Sequence, residues 1–466
     1  MQVEVISTEE LGDRSYLAHD GRLAIVVDPQ RDLDRVEEVL ADRRLTCAMV
    51  LETHIHNDYV TGGFELARRT GCPYVVSAHD QVSFDRHPVG DGDELTVGTM
   101  TVRVLATPGH TDTHLSYVVS DDTGPAAVFT GGSLLYGSVG RTDLIDPART
   151  EELTRAQFHS AHRLAAELPD DTAVYPTHGF GSFCSSGSAT GGDSGTIGVE
   201  KDRNDALVTD DENAFVDTLI ANLTAYPAYY AHMAPLNMQG PGAPDLSPPE
   251  PVDRAELRRR INADQWVVDL RDSTAYASNH LGGSIGIALG QHFATYLGWL
   301  MPWGEPLTLI GADPGQVTDA QRQLVRIGVD QLAGAATGSA EELSAGHGTS
   351  SYRRATFDEL PEQLNPARHG HGHAHNPGAG RDGEPVLLDV RRDDERDKGF
   401  IPESAHVPLH QLLNRLDEVP AGELWVHCAS GYRASIAASL LNRAGRDIVW
   451  IDDDYDQAVT AGLTTQ

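Results

Sequence analysis

Lysine is almost missing from this chain. Only Lys201 and Lys398 occur, and 35 Lys plus Arg stand against 69 Asp plus Glu, so the formal net charge is -34 over 466 residues. Such an acidic surface repels nucleic-acid phosphates and anionic lipid headgroups, which excludes both as expected partners. The charge itself is read as a solubility feature and not as catalytic machinery. Cysteine is scarce too. Cys47, Cys72, Cys184 and Cys428 are too few and too scattered for a disulfide framework in a chain this long, so each is read as a thiol in its own setting. Long apolar runs are also lacking: no stretch approaches the ~18 consecutive apolar residues that cross a bilayer. The opening MQVEVISTEELGDR has no basic-then-apolar leader pattern. A cytoplasmic protein without a membrane partner is expected.

What is present is enough chain for about three domains of ~150 residues, each able to bury its own core. Arg22 to Asp28 (RLAIVVD) is a buried-strand run closed by Pro29, Leu33 to Leu40 has helical spacing, and Cys47 to Glu52 reads as a second strand. This βαβ beginning predicts sheets covered by helices. A Gly/Ser/Thr-rich stretch, Gly181 to Gly198, reads as an ordered loop, and Pro241 to Asp253 (PGAPDLSPPEPVD) reads as a linker. Beyond it two segments share one pattern. The first has WVVDLRD (Trp266 to Asp272), HLGGSI (His280 to Ile285) and LTLIGAD (Leu307 to Asp313); the second has VLLDVRR (Val386 to Arg392), GFIPESAHVP (Gly399 to Pro408) and LWVHCAS (Leu424 to Ser430). Duplication of an α/β module with a parallel sheet explains both. Before the second Asp-x-Arg strand lies RHGHGHAHNPGAGRDG, Arg368 to Gly383, read as a solvated loop whose alternating histidines offer at most weak metal binding.

The N-terminal part carries a metal-ligating pattern. Thr53-His54-Ile55-His56-Asn57-Asp58 follows a strand end, His110 lies in Thr107-Pro-Gly-His-Thr111 after the strand Val102 to Ala106, and His178 lies in Tyr175-Pro-Thr-His-Gly179 after Ala173 to Tyr175. One H-x-H-x-D string arises easily by chance in a polar turn. Three strand ends each delivering histidine are the layout of a metal cleft built on loops over a rigid scaffold.

The order T-H-x-H-x-D, T-P-G-H-T, F-T-G-G and Y-P-x-H-G resembles the metallo-β-lactamase superfamily. Within it, VVDPQRD (Val26 to Asp32), GRTDL (Gly140 to Leu144), TIGVEKDRND (Thr196 to Asp205) and YPAYYAHMAPLN (Tyr226 to Asn237) resemble persulfide dioxygenases and their rhodanese fusions. The resemblance implies a first site of His54, His56 and His110 and half of a second, Asp58 and His178, around one iron or zinc ion. Two positions depart from the family pattern. Tyr59 stands where a histidine is usual, and Gly132 where the family has the aspartate of F-T-G-D, a bridging or facial-triad carboxylate.

In the C-terminal part, Leu424-Trp-Val-His-Cys428 is a strand delivering a cysteine into Ala429-Ser430-Gly431-Tyr432-Arg433, with a helix predicted from Ala434 to Asn442. A cysteine in a tight loop before a helix meets converging N–H groups that stabilise a thiolate or persulfide anion, and Arg433 adds positive charge. The string resembles the rhodanese loop C-x-x-G-x-R, which implies Cys428 as sulfur carrier with Ala429, Ser430, Gly431 and Tyr432 lining the substrate site. The first module has Gly311-Ala-Asp313 where that cysteine would stand, so it is expected to be a spacer or docking surface. Cys47 and Cys72 are expected as core thiols and Cys184 as a loop thiol near the cleft; Tyr229 and Tyr230 are expected to pack in the core.

The expected fold is α/β: a metallo-β-lactamase αββα sandwich over 1–245, a rhodanese-like module without cysteine over 254–345, and a rhodanese module with Cys428 over 353–466. The expected function is sulfur metabolism, a persulfide dioxygenase-like domain coupled to a sulfurtransferase acting on a low-molecular-weight thiol persulfide or thiosulfate. A metal-dependent thioesterase-like hydrolase fused to a rhodanese is the alternative, and a degenerate metal domain serving as a binding platform is the third reading. A homodimer is compatible with each.

Overall fold

The computed structural model describes the chain apart from residues 123–125, 187–191, 193, 345, 347, 361–384 and 466; the histidine-rich insert therefore lies outside the described residues. The chain divides into two compact units, Met1–Asp245 with Arg322–Asp330, and Leu246–Gln321 with Gln331–Gln466.

The first unit holds two six-stranded sheets. One runs in sequence order through β1 (Gln2–Thr8), β2 (Asp13–His19), β3 (Leu23–Val27), β4 (Thr46–Leu51), β5 (Tyr74–Ser77) and β6 (His87–Val89). The other is formed by β7 (Glu94–Val97), β8 (Met100–Ala106), β9 (Leu115–Ser120), β10 (Ala127–Gly131), β11 (Ala173–Pro176) and β12 (Gly195–Thr196). Alternating strand residues point to opposite faces, so each sheet buries two apolar sets. Tyr16, Ile25, Val27 and Leu51 meet Val102, Val104, Tyr117 and Phe129 in a core between the sheets. Leu17, Val26 and Val50 pack outward with Val36, Leu40 and Leu66 of the helices Asp34–Arg43 and Gly63–Thr70. Leu105, Val118 and Val128 pack outward with Phe158 and Leu164 of the helix Thr150–Glu167 and Phe215 of Glu212–Ala221. The result is an αββα sandwich. Burying each large apolar side chain contributes about 1.5–3 kcal/mol, so the three layers of apolar contact, not strand propensity, hold the unit.

The second unit holds two all-parallel sheets. In one, β13 (Trp266–Asp269), β14 (Ile285–Gly286), β15 (Leu307–Gly311) and β16 (Leu332–Thr337) lie in the order β14-β13-β15-β16. In the other, β17 (Arg353–Ala355), β18 (Val386–Asp389), β19 (Ala405–His406), β20 (Leu424–His427) and β21 (Ile448–Ile451) lie in the order β17-β21-β20-β18-β19. The order β14-β13-β15-β16 recurs as β19-β18-β20-β21, with β17 added at the far edge. Pro251, at the end of the proline-rich segment, even bridges Ala335 in parallel, in the place β17 takes beside β21.

The duplication extends to single bonds. Asp269 accepts from the Arg271 backbone N–H and guanidinium while Arg271 Nη2 donates to the Asn279 carbonyl; Asp389 and Arg391 repeat this, with Gly399 as the distant carbonyl. The Leu270 N–H donates to Ile310 and the Val390 N–H to His427. By this register Gly311 occupies the place of Cys428.

Candidate functional site

In the first unit β4 runs parallel to β3 and antiparallel β2 begins beside the end of β3, so Asp13, Asp28 and the loop after Leu51 emerge at one end of the sheet. In the facing sheet β8, β10 and β11 run in one direction, and their C-terminal ends lead to His110, Gly132 and His178. Strand direction thus gathers chemistry from segments far apart in sequence.

The five sequence-predicted ligands are all buried. The His54 ring lies 4.1 Å from His56, 4.9 Å from His110 and 5.3 Å from His178, centroid to centroid. Each ring is oriented by a second group, as metal-binding imidazoles require. His110 Nδ1 lies 2.7 Å from the Arg141 carbonyl, and its Nε2 is buried without a hydrogen-bond partner among the described residues. His56 Nε2 is 3.0 Å from both Glu52 Oε2 and the Tyr59 hydroxyl, which leaves Nδ1 buried and without a partner. His54 Nδ1 is 2.9 Å from Thr53 Oγ1, while its Nε2 lies 3.3 Å from His178 Nε2. Ligand atoms of His54, His56 and His178 lie within 4.8 Å of one another, and such a group of desolvated imidazole nitrogens is the donor set of a small borderline cation, so these residues fit a metal ion.

Asp58 is placed differently from the other four. Its Oδ2 lies 3.2 Å from His178 Nδ1, and Asp13 Oδ1 lies 2.9 Å from the same nitrogen. Both carboxylates therefore back the ring on the side away from His54. Cys184 brings its thiol within 4.8 Å of the ligand nitrogens of His110 and His178. Tyr229 and Tyr230 are buried with ring centroids 5.1 Å apart, as packing residues would be.

Electrostatics divide the cluster. Burial, aided by the neighbouring rings, pushes His54 well down, and burial lowers His110 to about 3, so both favour the neutral imidazole that ligates metals. Burial would do the same to His56, but Asp28 and Glu52 outweigh it and raise it to about 9. His178 is likewise raised against burial by Asp58 and Asp13. Burial and the repulsion of Asp58 push Asp13 up to about 7. Burial pushes the Cys184 thiol well up, which keeps it protonated.

At the two family departures the structure is specific. Tyr59 stacks on His56 at 4.3 Å with its hydroxyl 3.0 Å from Nε2, so it supports a ligand. Gly132 has no room for a side chain: an added Cβ would lie 2.2 Å from His110 Cδ2. Several contributors escaped sequence reasoning. Asp28 accepts from the Thr53 backbone N–H and hydroxyl, both at 2.7 Å, and from the Thr177 hydroxyl, tying two histidine loops together. His114 stacks on His54 at 4.9 Å and accepts from the Gly132 N–H. Its position four residues after His110 in one string was a usable signal; Glu52, directly before the T-H-I-H string, was another.

In the second unit Cys428 is 1% exposed and follows β20, and the helix Tyr432–Arg443 starts four residues later, directly after Gly431, which has a φ of 83°. A Cβ on Gly431 would lie 2.7 Å from Asp452 Oδ1, so glycine is required both for its φ and for space. The Gly431 carbonyl accepts from Trp450 Nε1 and the Ala429 carbonyl from the Tyr455 N–H, which pins the loop. Arg433 pairs through both terminal nitrogens with Glu395, at 2.5 and 2.7 Å, so its charge is shared with a carboxylate as well as available to the loop. No sequence signal marked Glu395.

The cysteine-less module contributes to this site. Its helix Phe293–Leu300 carries Tyr296, 5.9 Å from the Tyr432 ring and within electrostatic reach of Cys428 and Arg433, and Trp299, which stacks on His410 at 5.0 Å. Tyr432 donates to the Ala288 carbonyl at 2.9 Å. The helix behind Cys428 is fastened to β14 by Ser439, whose hydroxyl lies 3.3 Å from the Gly286 carbonyl.

Among the described residues no helix is long and apolar enough to cross a membrane. Residues 14–178 match the metallo-beta-lactamase superfamily and residues 379–460 the rhodanese-like domain. The mitochondrial persulfide dioxygenase of Homo sapiens is 30% identical over 175 residues, 37% of this chain and 63% of that protein. A hydroxyacylglutathione hydrolase of Methylobacillus flagellatus is 34% identical over 165 residues, 35% of this chain and 60% of that protein. The chain thus spans about 60–63% of the length of these two relatives. The crystal structure of a metallo-beta-lactamase from Staphylococcus aureus has a TM-score of 0.64 at 28% identity, covering 72% of this chain and 99% of that one. Residues 14–178 therefore belong to the metallo-β-lactamase superfamily and residues 379–460 to the rhodanese-like domains, and the chain is a fusion of the two.

Proposed function

We propose that the chain is an enzyme of sulfur metabolism in which the N-terminal domain acts on a low-molecular-weight thiol persulfide at one iron or zinc ion, and Cys428 transfers sulfane sulfur. The observation that carries this reading is Cys428 itself, a buried cysteine in a pinned C-x-x-G-x-R loop at the start of a twelve-residue helix. The N–H groups and dipole of that helix favour an anionic sulfur. In transfer, the Cys428 thiolate attacks the outer sulfur of thiosulfate or a persulfide and releases sulfite or thiolate. The loaded sulfur then passes to a thiol or cyanide, restoring the thiolate.

In the N-terminal domain His54 and His110 through Nε2, His56 through Nδ1 and His178 would hold the ion, with Glu52, the Arg141 carbonyl and Asp13 orienting the rings. Bound iron supplies oxygen chemistry; bound zinc supplies Lewis acidity. Fusion serves this reading because tethering raises the local concentration of one domain's sulfur species at the other.

A second reading is favoured by Gly132 together with the likeness to hydroxyacylglutathione hydrolase: a thioester hydrolase attached to the sulfurtransferase. Metal analysis, oxygen uptake with glutathione persulfide, thioester turnover and thiosulfate sulfurtransferase assays on one preparation separate the two. Iron with oxygen uptake supports the first reading and zinc with thioester turnover the second. A metal-free active preparation removes both. Cys428→Ser must abolish sulfur transfer.

A further inference from the structure

Cys47 and Cys72 play no part in either site. Cys47 packs in the outer core of the first sheet as expected, but the two thiols are not separate. β4 and β5 run parallel with Val50 opposite Tyr74, and this register sets Cys47 beside Cys72 with their sulfurs 3.7 Å apart. The pair is asymmetric. Cys47 is buried, whereas Cys72 is half-buried and lines a surface cavity of about 440 Å³. Thr70 Oγ1 donates to the Cys72 sulfur at 3.2 Å. The hydrogen bond from Cys47, with that of Thr70, holds the Cys72 thiol below its ordinary value against burial, while Cys47 is pushed up.

Arg68, Arg86 and His87 line the same cavity, with Asp85 as its acidic member. Arg86 Nε is buried without a hydrogen-bond partner among the described residues. A half-buried thiol opening on a cavity, a buried resolving thiol in van der Waals contact with it and the Arg86 guanidinium in the cavity wall, where Arg68 is already paired at two points with Glu65, are what a reactive dithiol needs; a pair of inert core thiols needs none of them.

We propose that Cys72 and Cys47 form a second sulfur-accepting site, a dithiol that reacts with the sulfane sulfur of an anionic low-molecular-weight persulfide. The Cys72 thiolate attacks the outer sulfur of the donor, taking that sulfur and releasing the donor thiolate. Cys47 then attacks the inner sulfur of the Cys72 persulfide; a Cys47–Cys72 disulfide forms, the outer sulfur leaves as hydrosulfide, and it takes the Cys47 proton. The two thiols lose two electrons and the sulfane sulfur gains them. A resolving thiol 3.7 Å away acts at an effective concentration that an external thiol does not match, so the second step follows the first. β4 continues into the loop of His54 and His56, so the state of the pair is written on the strand that delivers two metal ligands. The choice of donor rests on the persulfide reading above; the dithiol geometry does not.

The test uses full-length protein, wild type and C428S, held without oxygen, treated with glutathione persulfide, alkylated, digested and weighed. A linked Cys47–Cys72 peptide with released sulfide is expected in both. C47S should stop with one extra sulfur on Cys72, and C72S should yield neither product. A chain whose Cys428 is charged while Cys47 and Cys72 remain alkylated thiols overturns the proposal, as does a lasting Cys72 persulfide in the wild type. Linkage without charging of Cys428 would keep the dithiol and remove the sulfurtransferase reading. The wild-type digest decides the matter even if a variant fails to fold.

Discussion

The Gly132 α-carbon lies under the edge of the His110 imidazole, so closely that a Cβ would sit 2.2 Å from Cδ2 and 2.6 Å from Cγ. The position where the F-T-G-D pattern would place a carboxylate is therefore filled by a ligand ring. Gly132→Asp should displace His110 instead of restoring a ligand. Overpacking of this kind costs about 1–3 kcal/mol. Metal per chain and the melting temperature should both fall; a rise in metal content would show that the ring yields and the carboxylate binds.

Asp28 sits at φ 48°, a conformation that asparagine tolerates as well as aspartate. Asp28→Asn keeps the backbone but removes the charge 3.4 Å from His56 Nε2. Losing such an orienting partner typically costs about 10- to 100-fold in metal affinity. Zinc competition against a chromophoric chelator reads this directly, and unchanged affinity would dismiss Asp28 as a positioning residue.

Glu395 holds the Arg433 guanidinium at two points. Glu395→Gln frees positive charge beside Cys428, so the KM for the dianion thiosulfate should drop about fivefold, the ~1 kcal/mol scale of one partly exposed charge pair. The melting temperature should drop as well. A raised KM would mean that Glu395 matters more for placing Arg433 than for masking it.

Tyr296 belongs to the module without a cysteine yet faces the loop that has one. Tyr296→Ala should lower sulfurtransferase kcat/KM about tenfold, equivalent to ~1.4 kcal/mol, with full protein yield and an unchanged metal content. Unaltered kinetics would reduce the first module to a spacer.

Asp80 offers a pH signature away from both sites. Burial raises its carboxyl from 3.8 to about 6. The folded chain therefore binds the proton more tightly than the unfolded one, so stability contributed below pH 4 is lost as pH rises through 6, up to about 3 kcal/mol. Asp80→Asn should melt higher than wild type at pH 8 and no higher at pH 4. Parallel melting curves at the two pH values would contradict the assignment.

The histidines were legible because they stand in short strings after three strand ends, His54 and His56 sharing one, so local pattern alone located His54, His56, His110 and His178. The duplicated Asp-x-Arg strands were legible for the same reason. Their supports were not. Asp28 meets Thr177 across 149 residues and Arg433 meets Glu395 across 38, with no periodicity linking either pair. The helix expected from Ala434 to Asn442 begins at Tyr432, because Gly431 turns the chain two residues sooner than composition suggests.

By itself, then, the amino-acid order determined the strand ends, the order of motifs and the loop chemistry of Cys428, all of which depend on neighbours within a few residues. Tertiary structure alone decided which side of the His178 ring Asp58 would take, that Tyr59 would support His56, that His110 would close the space above Gly132, and that Cys47 would meet Cys72. Each of these follows from the register and direction of strands packed by their apolar faces, and register is a property of pairs of segments that no single segment encodes.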